Sequence, residues 1–433
     1  KGEYWNLGEL EFTAPSTSQL ATRWVSALQT WIHYHGVTRP KSLLVFINPV
    51  GGRKQAMEIY QSQVAPLFTL AGIHAQVVET CHANEARDYI LQQDLCGFDG
   101  LVSVGGDGTF NEVMHALINR TQQKAGKLKE DFDVELLSPR LRIGIIPAGS
   151  TDCVCFATVG TNDPVTSALH IIIGDSQPLD VCSIWHDGML LRYSVSLAGY
   201  GFYGDVVSTS ENHRWMGPAR YIFAGAKAVL SNRSYEGTVE FQLAESEDTN
   251  PRDQSRCRSG YIDGKLPQWG SQPWAKSRKT IREKEWIHGS FLAVNLTCMS
   301  SACPKSPKGL SPCAHLADGT ADLILVHKCS VFSFLQHLNR HTNCSDQFDL
   351  PFVSVYRVRA VRFTSPKGED WEGRQEAAQE QNILCGGICQ GQPLVSCWTC
   401  DGETLNYTDI TIRVHGSLIH LFARGIEQQP SIS

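Results

Sequence analysis

Apolar residues at Leu20, Trp24, Leu28 and Trp31 or Ile32 recur at helical spacing. They predict one helix over 18–35, which Ser18 can cap. The pattern then changes to short apolar runs, each closed by a turn. Residues 42–47 form a continuous apolar run, a buried strand candidate, followed by Asn48-Pro-Val-Gly-Gly-Arg-Lys54 and helical spacing over 55–70. A second strand is predicted at 75–79 and a second helix at 85–93. A third strand at 101–104 runs into Gly105-Gly-Asp-Gly-Thr109 and a helix to about Asn119. A fourth strand at 142–146 precedes Pro147-Ala-Gly-Ser-Thr-Asp152. Strand, turn and helix in alternation imply an α/β fold with a doubly wound parallel sheet.

From about residue 178 short β-rich runs dominate, at 180–185, 192–197, 238–243, 291–296, 323–326, 353–363 and 410–414. They predict an antiparallel β-sandwich as a second domain. The polar stretches near 245–286 and 367–382 read as disordered surface insertions.

The composition sets limits on what such a chain can do. Its 433 residues suggest two or three domains, and 42% hydrophobic content with 10 Trp and 17 Phe is enough for sizeable cores. A net charge of −6 gives no general basic field, so nucleic-acid binding is not expected. The 15 cysteines are mostly scattered singly, which suits reduced thiols and the cytoplasm. No apolar run is long enough for a membrane span, so membrane contact is expected to be peripheral.

The strongest chemical signal is Gly105-Gly-Asp-Gly-Thr-Phe-Asn-Glu112. It stands at the carboxyl end of a predicted parallel strand, where open α/β sheets bind ligands. Glycines admit phosphates to the backbone, and a helix N-terminus favours negative charge. Asp107 is unusual in a plain phosphate loop; it suggests a metal contact or a proton acceptor. A tight turn alone explains the glycines but not the apolar strand with an Asp. The 48–54 turn is not a Walker A loop, because the Gly-x-x-x-x-Gly-Lys spacing is absent. Gly199-Tyr-Gly-Phe-Tyr-Gly204 spells a dinucleotide fingerprint, yet it lies among β-rich runs and has no acid about 20 residues on.

Asn-Pro-x-Gly-Gly, Gly-Gly-Asp-Gly-Thr-x-Asn-Glu and Ile-Pro-Ala-Gly-Ser-Thr-Asp, in this order, resemble the diacylglycerol kinase catalytic domain of lipid kinases. Ser194–Arg220, with Arg214-Trp-Met-Gly-Pro-Ala-Arg220, is similar to the sphingosine kinase and ceramide kinase branch of that family, and 310–325, 353–359 and 421–426 to ceramide kinases in particular. The resemblance covers nearly all of the chain from about residue 41. It implies a catalytic α/β domain over 41–177 and a lipid-binding sandwich over 178–426. Residues 1–36 would be the remnant of a pleckstrin-homology domain, although a plain amphipathic helix packing on the next domain fits the periodicity equally well.

The resemblance also implies transfer of phosphate from ATP to the primary hydroxyl of ceramide, with Mg²⁺, at a Golgi or plasma membrane surface. Sphingosine or diacylglycerol kinase activity, or a silent lipid-binding module, are the alternatives. Carried over by position, ATP would be held by Asn48, Pro49, Val50, Thr80, Glu112, Arg214 and Arg220, with Asp401, Gly402 and Glu403 closing the site. Gly105, Gly106, Asp107, Gly108 and Asp205 would bind the substrate, and Asp318 matches a position linked to Mg²⁺. Asp107 is the expected base, with Glu403 as the other candidate. Retention of Asp107, Glu112, Arg214, Arg220 and Glu403 together argues against a silent binder.

Two further segments invite a function. Cys385, Cys389, Cys397 and Cys400 are the only cysteine cluster; loose or redox-sensitive thiols, a disulfide and a zinc site are all open readings. Residues 328–341 mix apolar side chains with Lys328, His337 and Arg340. They read as a helix packed on the sandwich, or as a basic amphipathic segment for calmodulin or a membrane surface. Ceramide kinases are a calmodulin-responsive family, which adds Ca²⁺ regulation to the expectations.

Overall fold

The computed structural model describes residues 4–11, 13, 19–127, 132–217, 219–244, 251, 285–343, 346–366 and 395–425. The first helix, α1 (Leu20–His35), forms where its periodicity predicted it. Its apolar stripe is largely exposed, at Leu20, Trp24, Leu28, Trp31 and Ile32. The expectation of a helix packed on the next domain is therefore corrected.

Strands β1 (Ser42–Ile47), β2 (His74–Glu79), β3 (Gly100–Gly105) and β4 (Arg142–Pro147) are parallel, in the order β4-β3-β1-β2. Alternate residues of the inner strands feed two cores. Leu44, Phe46, Leu101 and Ile143 pack with α4 (Glu85–Gln92), α5 (Asp107–Lys124) and α6 (Cys153–Val159). Leu43, Val45, Val102 and Val104 pack with α2 (Ala56–Ile59), α3 (Ala65–Leu70) and α7 (Pro164–Ile173). Covered on both faces, these strands need the unbroken apolar runs that made them legible. The helix expected over 55–70 is interrupted by a π-helical stretch, Tyr60–Val64. Pro66 in the first turn of α3 explains it: proline lacks an N–H and its ring obstructs the ordinary register.

The later residues form β5 (Gln177–His186), β6 (Met189–Ser194), β7 (Leu197–Gly201), α8 (Phe202–Glu211), α9 (Ala219–Ser231), β8 (Tyr235–Leu243), β9 (Glu285–Thr297), β10 (Ala321–His327), α10 (Val331–Arg340), β11 (Val353–Thr364), β12 (Trp398–Cys400), β13 (Glu403–Leu405) and β14 (Ile410–Leu421). All their mutual strand pairings are antiparallel. Long β9 pairs β8 through its first half and β10 and β7 through its second, and β11 likewise changes partners. Strands that change partners in this way fold a sheet over one core. That core holds Tyr200, Tyr235, Phe241, Phe291, Phe363 and Trp398. Leu421 at the end of β14 pairs in parallel with Ile143 of β4, so the two sets of strands share one hydrogen-bonded sheet.

Two readings change. The run 192–197 is split between β6 and β7, and the stretch after it is helical, not β-rich. The expected insertions near 245–286 and 367–382 lie almost wholly outside the described residues.

Candidate active site

The carboxyl ends of β1, β3 and β4 converge, and glycine is what lets their turns touch. A Cβ on Gly149 would stand 2.5 Å from the Gly106 Cα, and one on Gly52, at φ +56°, 2.8 Å from the Gly149 Cα. Any side chain here would force the three turns apart. Asn48 ties them further. Its Oδ1 accepts from the Val50 and Gly51 N–H groups at 3.2 and 2.9 Å, and its Nδ2 donates to Thr109 Oγ1 at 3.3 Å. Thr80 N–H and Oγ1 both donate to the Ile47 carbonyl, which binds the end of β2 to β1.

Asp107 begins α5 and is clamped to α6. Its two carboxylate oxygens accept from the Val154 N–H at 2.9 Å and the Cys153 N–H at 3.0 Å. Burial raises its pKa above the usual carboxylate range, and the negative charge of Asp401 adds to that; the two N–H bonds oppose it. Asp152, at φ +52°, accepts from the Gly149 N–H with both oxygens at 3.0 and 3.1 Å. Burial, then the charge of Asp107, pushes it up to about 7.

Asp401 comes from the far end of the chain. With Gly402 it makes a two-residue hairpin turn between β12 and β13, both at positive φ (+48° and +87°). Its Oδ1 accepts from Ser194 Oγ, Ser196 N and Leu197 N at 2.8–3.0 Å, and its Oδ2 from Val195 N at 3.1 Å. This fixes the turn against the start of β7. Ser196 Oγ lies 3.6 Å from Cys153 Sγ and 3.2 Å from Ser301 Oγ, completing the wall between Asp107 and Asp401. Glu403 projects outward, 61% exposed, and accepts from Arg192 Nη1 at 2.6 Å.

A matching family gives this arrangement its context. The ceramide kinase C-terminal domain matches residues 196–432, more than half of the 433. The diacylglycerol kinase catalytic domain matches residues 42–184. The chain belongs to the ceramide kinase family. It is 47% identical to the human ceramide kinase over 98% of this chain and 81% of that protein. To ceramide kinase 1 of Caenorhabditis elegans it is 32% identical, over 97% and 72%. A diacylglycerol kinase from Bacillus anthracis str. Sterne superposes with a TM-score of 0.53 at 13% identity, covering 91% of this chain and 99% of that one; at that identity the likeness speaks for the fold.

Within this member of the ceramide kinase family, the turns bring together Asn48, Thr80, Gly105, Gly106, Asp107 and, through Asp107, Asp401. Several expected residues stand elsewhere. Glu112 accepts from the Arg87 N–H of α4 at 3.1 Å. Arg220 meets Glu211 and stacks on Tyr221, both on α8 and α9. The Arg214 side chain lies outside the described residues. Asp205 on α8 accepts from Tyr235 Oη and from Ser396 Oγ. It follows the end of β7, whereas Asp401 is bound to the start of that strand. Asp318 Oδ1 accepts from Thr320 N and Oγ1, and the charge of Asp318 helps raise the pKa of fully buried Asp180 beside it.

Sequence reasoning missed Asp152, Ser196 and Ser301 as site residues. Asp152 was findable, since it closes the turn after β4 as Asp107 closes that after β3. The serines follow no motif and are placed only by the meeting of distant strands.

Of the cysteine cluster, Cys385 and Cys389 lie outside the described residues. Cys397 and Cys400 are three residues apart on extended chain, hence on opposite faces. Cys397 Sγ bonds the Gly204 carbonyl and Cys400 Sγ the Tyr193 carbonyl. This pair cannot ligate one zinc ion. Among the described residues no group of three or more His, Cys, Asp or Glu could hold a metal.

Asp152 carries a pH prediction. A carboxylate raised on folding stabilises the chain below its ordinary pKa of 3.8, and that contribution is lost as pH rises through about 7. Buried His337, His341 and His415, held down at about 4, 3 and 3, work oppositely and lose theirs as pH falls below 6.5. The difference between wild-type and Asp152→Asn isolates the carboxylate. In nucleotide-free protein, the stability of Asp152→Asn relative to wild-type should rise from about pH 5 to 8, as the wild-type carboxylate ionises. Urea midpoints across that range check it; parallel curves contradict it.

Proposed function

We propose that this chain transfers the γ-phosphate of ATP to the primary hydroxyl of ceramide, giving ceramide 1-phosphate. The observation that carries the reading is Asp107: a carboxylate of raised pKa in a glycine turn, clamped in orientation by α6. Phosphoryl transfer is mostly positioning and charge stabilisation, with one carboxylate taking the proton of the attacking hydroxyl. A raised pKa makes that carboxylate a better base near neutrality. The touching glycine turns are proposed to receive the phosphates on their N–H groups, with Asn48, Pro49, Val50 and Thr80 beside the nucleotide. Glu112, Arg214, Arg220, Gly402 and Glu403 join the proposed nucleotide site when it closes. Identifying the product by mass spectrometry, with phosphate on the primary hydroxyl and one ADP formed per transfer, tests the reading. ATP hydrolysis without a phosphorylated lipid contradicts it.

Kinases of this kind act with ATP and a divalent metal. Asp318 is proposed as the residue that would hold Mg²⁺, a hard carboxylate suited to a hard cation; neighbouring Asp180 is fully buried, with its two oxygens already accepting from the Gly319 and Ser417 N–H groups. When bound, Mg²⁺ supplies positive charge against the phosphates.

Residues 41–177 are proposed as the nucleotide half and 178–426 as the lipid half, with 1–36 the end of a pleckstrin-homology domain. Asp205 is proposed to accept hydrogen bonds from ceramide's amide or secondary hydroxyl, donors that diacylglycerol's esters lack. Asp205→Asn should raise KM for ceramide by about 10-fold or more, the cost of a hydrogen bond to a charged group, and leave KM for ATP nearly unchanged. Equal rises in both contradict a lipid role.

No described helix is long and apolar enough to cross a membrane. Peripheral contact with a Golgi or plasma membrane surface is proposed through α10, which exposes Phe332 and Leu335 beside Lys328. Calmodulin, and with it Ca²⁺ regulation, has weaker support there, because Phe334 and His337 on the other face are buried in the fold.

A further inference from the structure

The far end of α5 holds a basic cavity of about 290 Å³. Leu95, Leu117 and Leu141 give it an apolar floor, and Arg120, Lys124 and Arg140 line it. Arg120 is only 9% exposed, and its Nη1 donates to the Ile90 and Leu91 carbonyls at 2.6 and 3.2 Å. Those bonds to the last turn of α4 fix the guanidinium as part of the wall. Lys124 ends α5, and Arg140 enters from the segment before β4, where its one bond is a long 3.5 Å contact to the Phe98 carbonyl. Among the described residues no carboxylate comes within 4.0 Å of any of these three cations; Asp94 is felt by Lys124 only at longer range. Three cations around one cavity with no ion-pair partner among the described residues are unexpected in a chain of net charge −6.

Basic side chains do complement the negative end of a helix dipole. That accounts for Lys124. It does not account for Arg140, which belongs to another segment, or for the cavity between them. Arg120 and Asp107 are thirteen residues apart on one helix, about 20 Å at 1.5 Å per residue, so a phosphate held here is not the one transferred.

We propose that this cavity binds a phosphate monoester bearing a small apolar group, with Arg120, Lys124 and Arg140 on the phosphate and the leucines under the apolar part. A guanidinium can pair with phosphate oxygens through two bonds, which Arg140 is free to do and the remaining N–H groups of Arg120 to support, and the ammonium adds a point charge. The same chemistry is offered by a soluble phosphate ester and by the head group of a lipid phosphate.

The test uses the full chain with Mg²⁺ and a non-hydrolysable ATP analogue at saturation, which keeps the glycine turns occupied. Phenyl phosphate is titrated calorimetrically, and sedimentation is measured with phosphatidylcholine vesicles with and without phosphatidic acid. Lys124→Ala/Arg140→Ala, both exposed positions, should weaken binding by about 100-fold, roughly tenfold for each charged hydrogen bond lost. The melting temperature and basal kinase rate should not change. Phenyl phosphate binding that the double variant loses assigns a soluble ester. Phosphatidic-acid-dependent sedimentation that it loses, without phenyl phosphate binding, assigns a lipid head group. Failure of wild-type to bind either probe, or equal binding by the variant, overturns the site.

Discussion

Asp107→Asn is expected to lose about 10² to 10⁴ in kcat while still binding ATP, the usual cost of removing a general base. The amide cannot take the hydroxyl proton. It also cannot repeat both bonds to α6, because its NH₂ would face the N–H of Cys153 or Val154. Nucleotide affinity and melting temperature must therefore be measured alongside kcat. Glu403→Gln is the comparison. Glu403 is exposed and paired with Arg192, and the account expects only a modest effect from its loss. An Asp107→Asn enzyme near wild-type rate, with an inactive Glu403→Gln, moves the base to Glu403.

Gly149→Ala is expected to abolish measurable ATP binding, a loss of more than about 100-fold, because the turns must touch to form the phosphate cradle. Its Cβ would meet the Gly106 Cα and Asp152 Oδ1, each at 2.5 Å. One contact is backbone and the other is a carboxylate pinned to the Gly149 N–H, so neither can yield easily. Overpacking of this kind costs about 1–3 kcal/mol in stability. Gly225→Ala, on α9 away from these turns, is the control: nothing lies within 4 Å of its Cβ, and it should fold and bind ATP normally. Nucleotide titration of both variants checks the pair. ATP affinity in Gly149→Ala equal to wild-type contradicts the cradle.

Much of the parallel half was legible because its strands are covered on both faces. Such strands must be unbroken apolar runs, and 42–47 was readable to the residue. The glycine turns were legible for a steric reason: three of them meet at contact distance, and only glycine fits. The helices α8 and α9 were not, since the segment around 199–204 was placed among β-rich runs. What made the segment helical is tertiary: Gly204 packs against the Cys397 carbonyl, where a Cβ would come within 1.9 Å. The split between β6 and β7 was hidden for a related reason. Asp401, two hundred residues on, takes the amides of Val195, Ser196 and Leu197 out of any strand ladder. Local pattern carries no trace of a partner that distant. The same holds for α1, whose periodicity predicted a helix correctly but could not say that its apolar stripe stays exposed.

The measurement that bears most directly on the account is phosphate transfer from γ-radiolabelled ATP to ceramide, sphingosine and diacylglycerol, presented singly in matched vesicles with Mg²⁺. The account predicts labelled ceramide 1-phosphate as the dominant product, with label in diacylglycerol lower by at least about tenfold, the worth of one hydrogen-bonded group in discrimination. Equal labelling of diacylglycerol, or labelling of sphingosine in preference to ceramide, contradicts it.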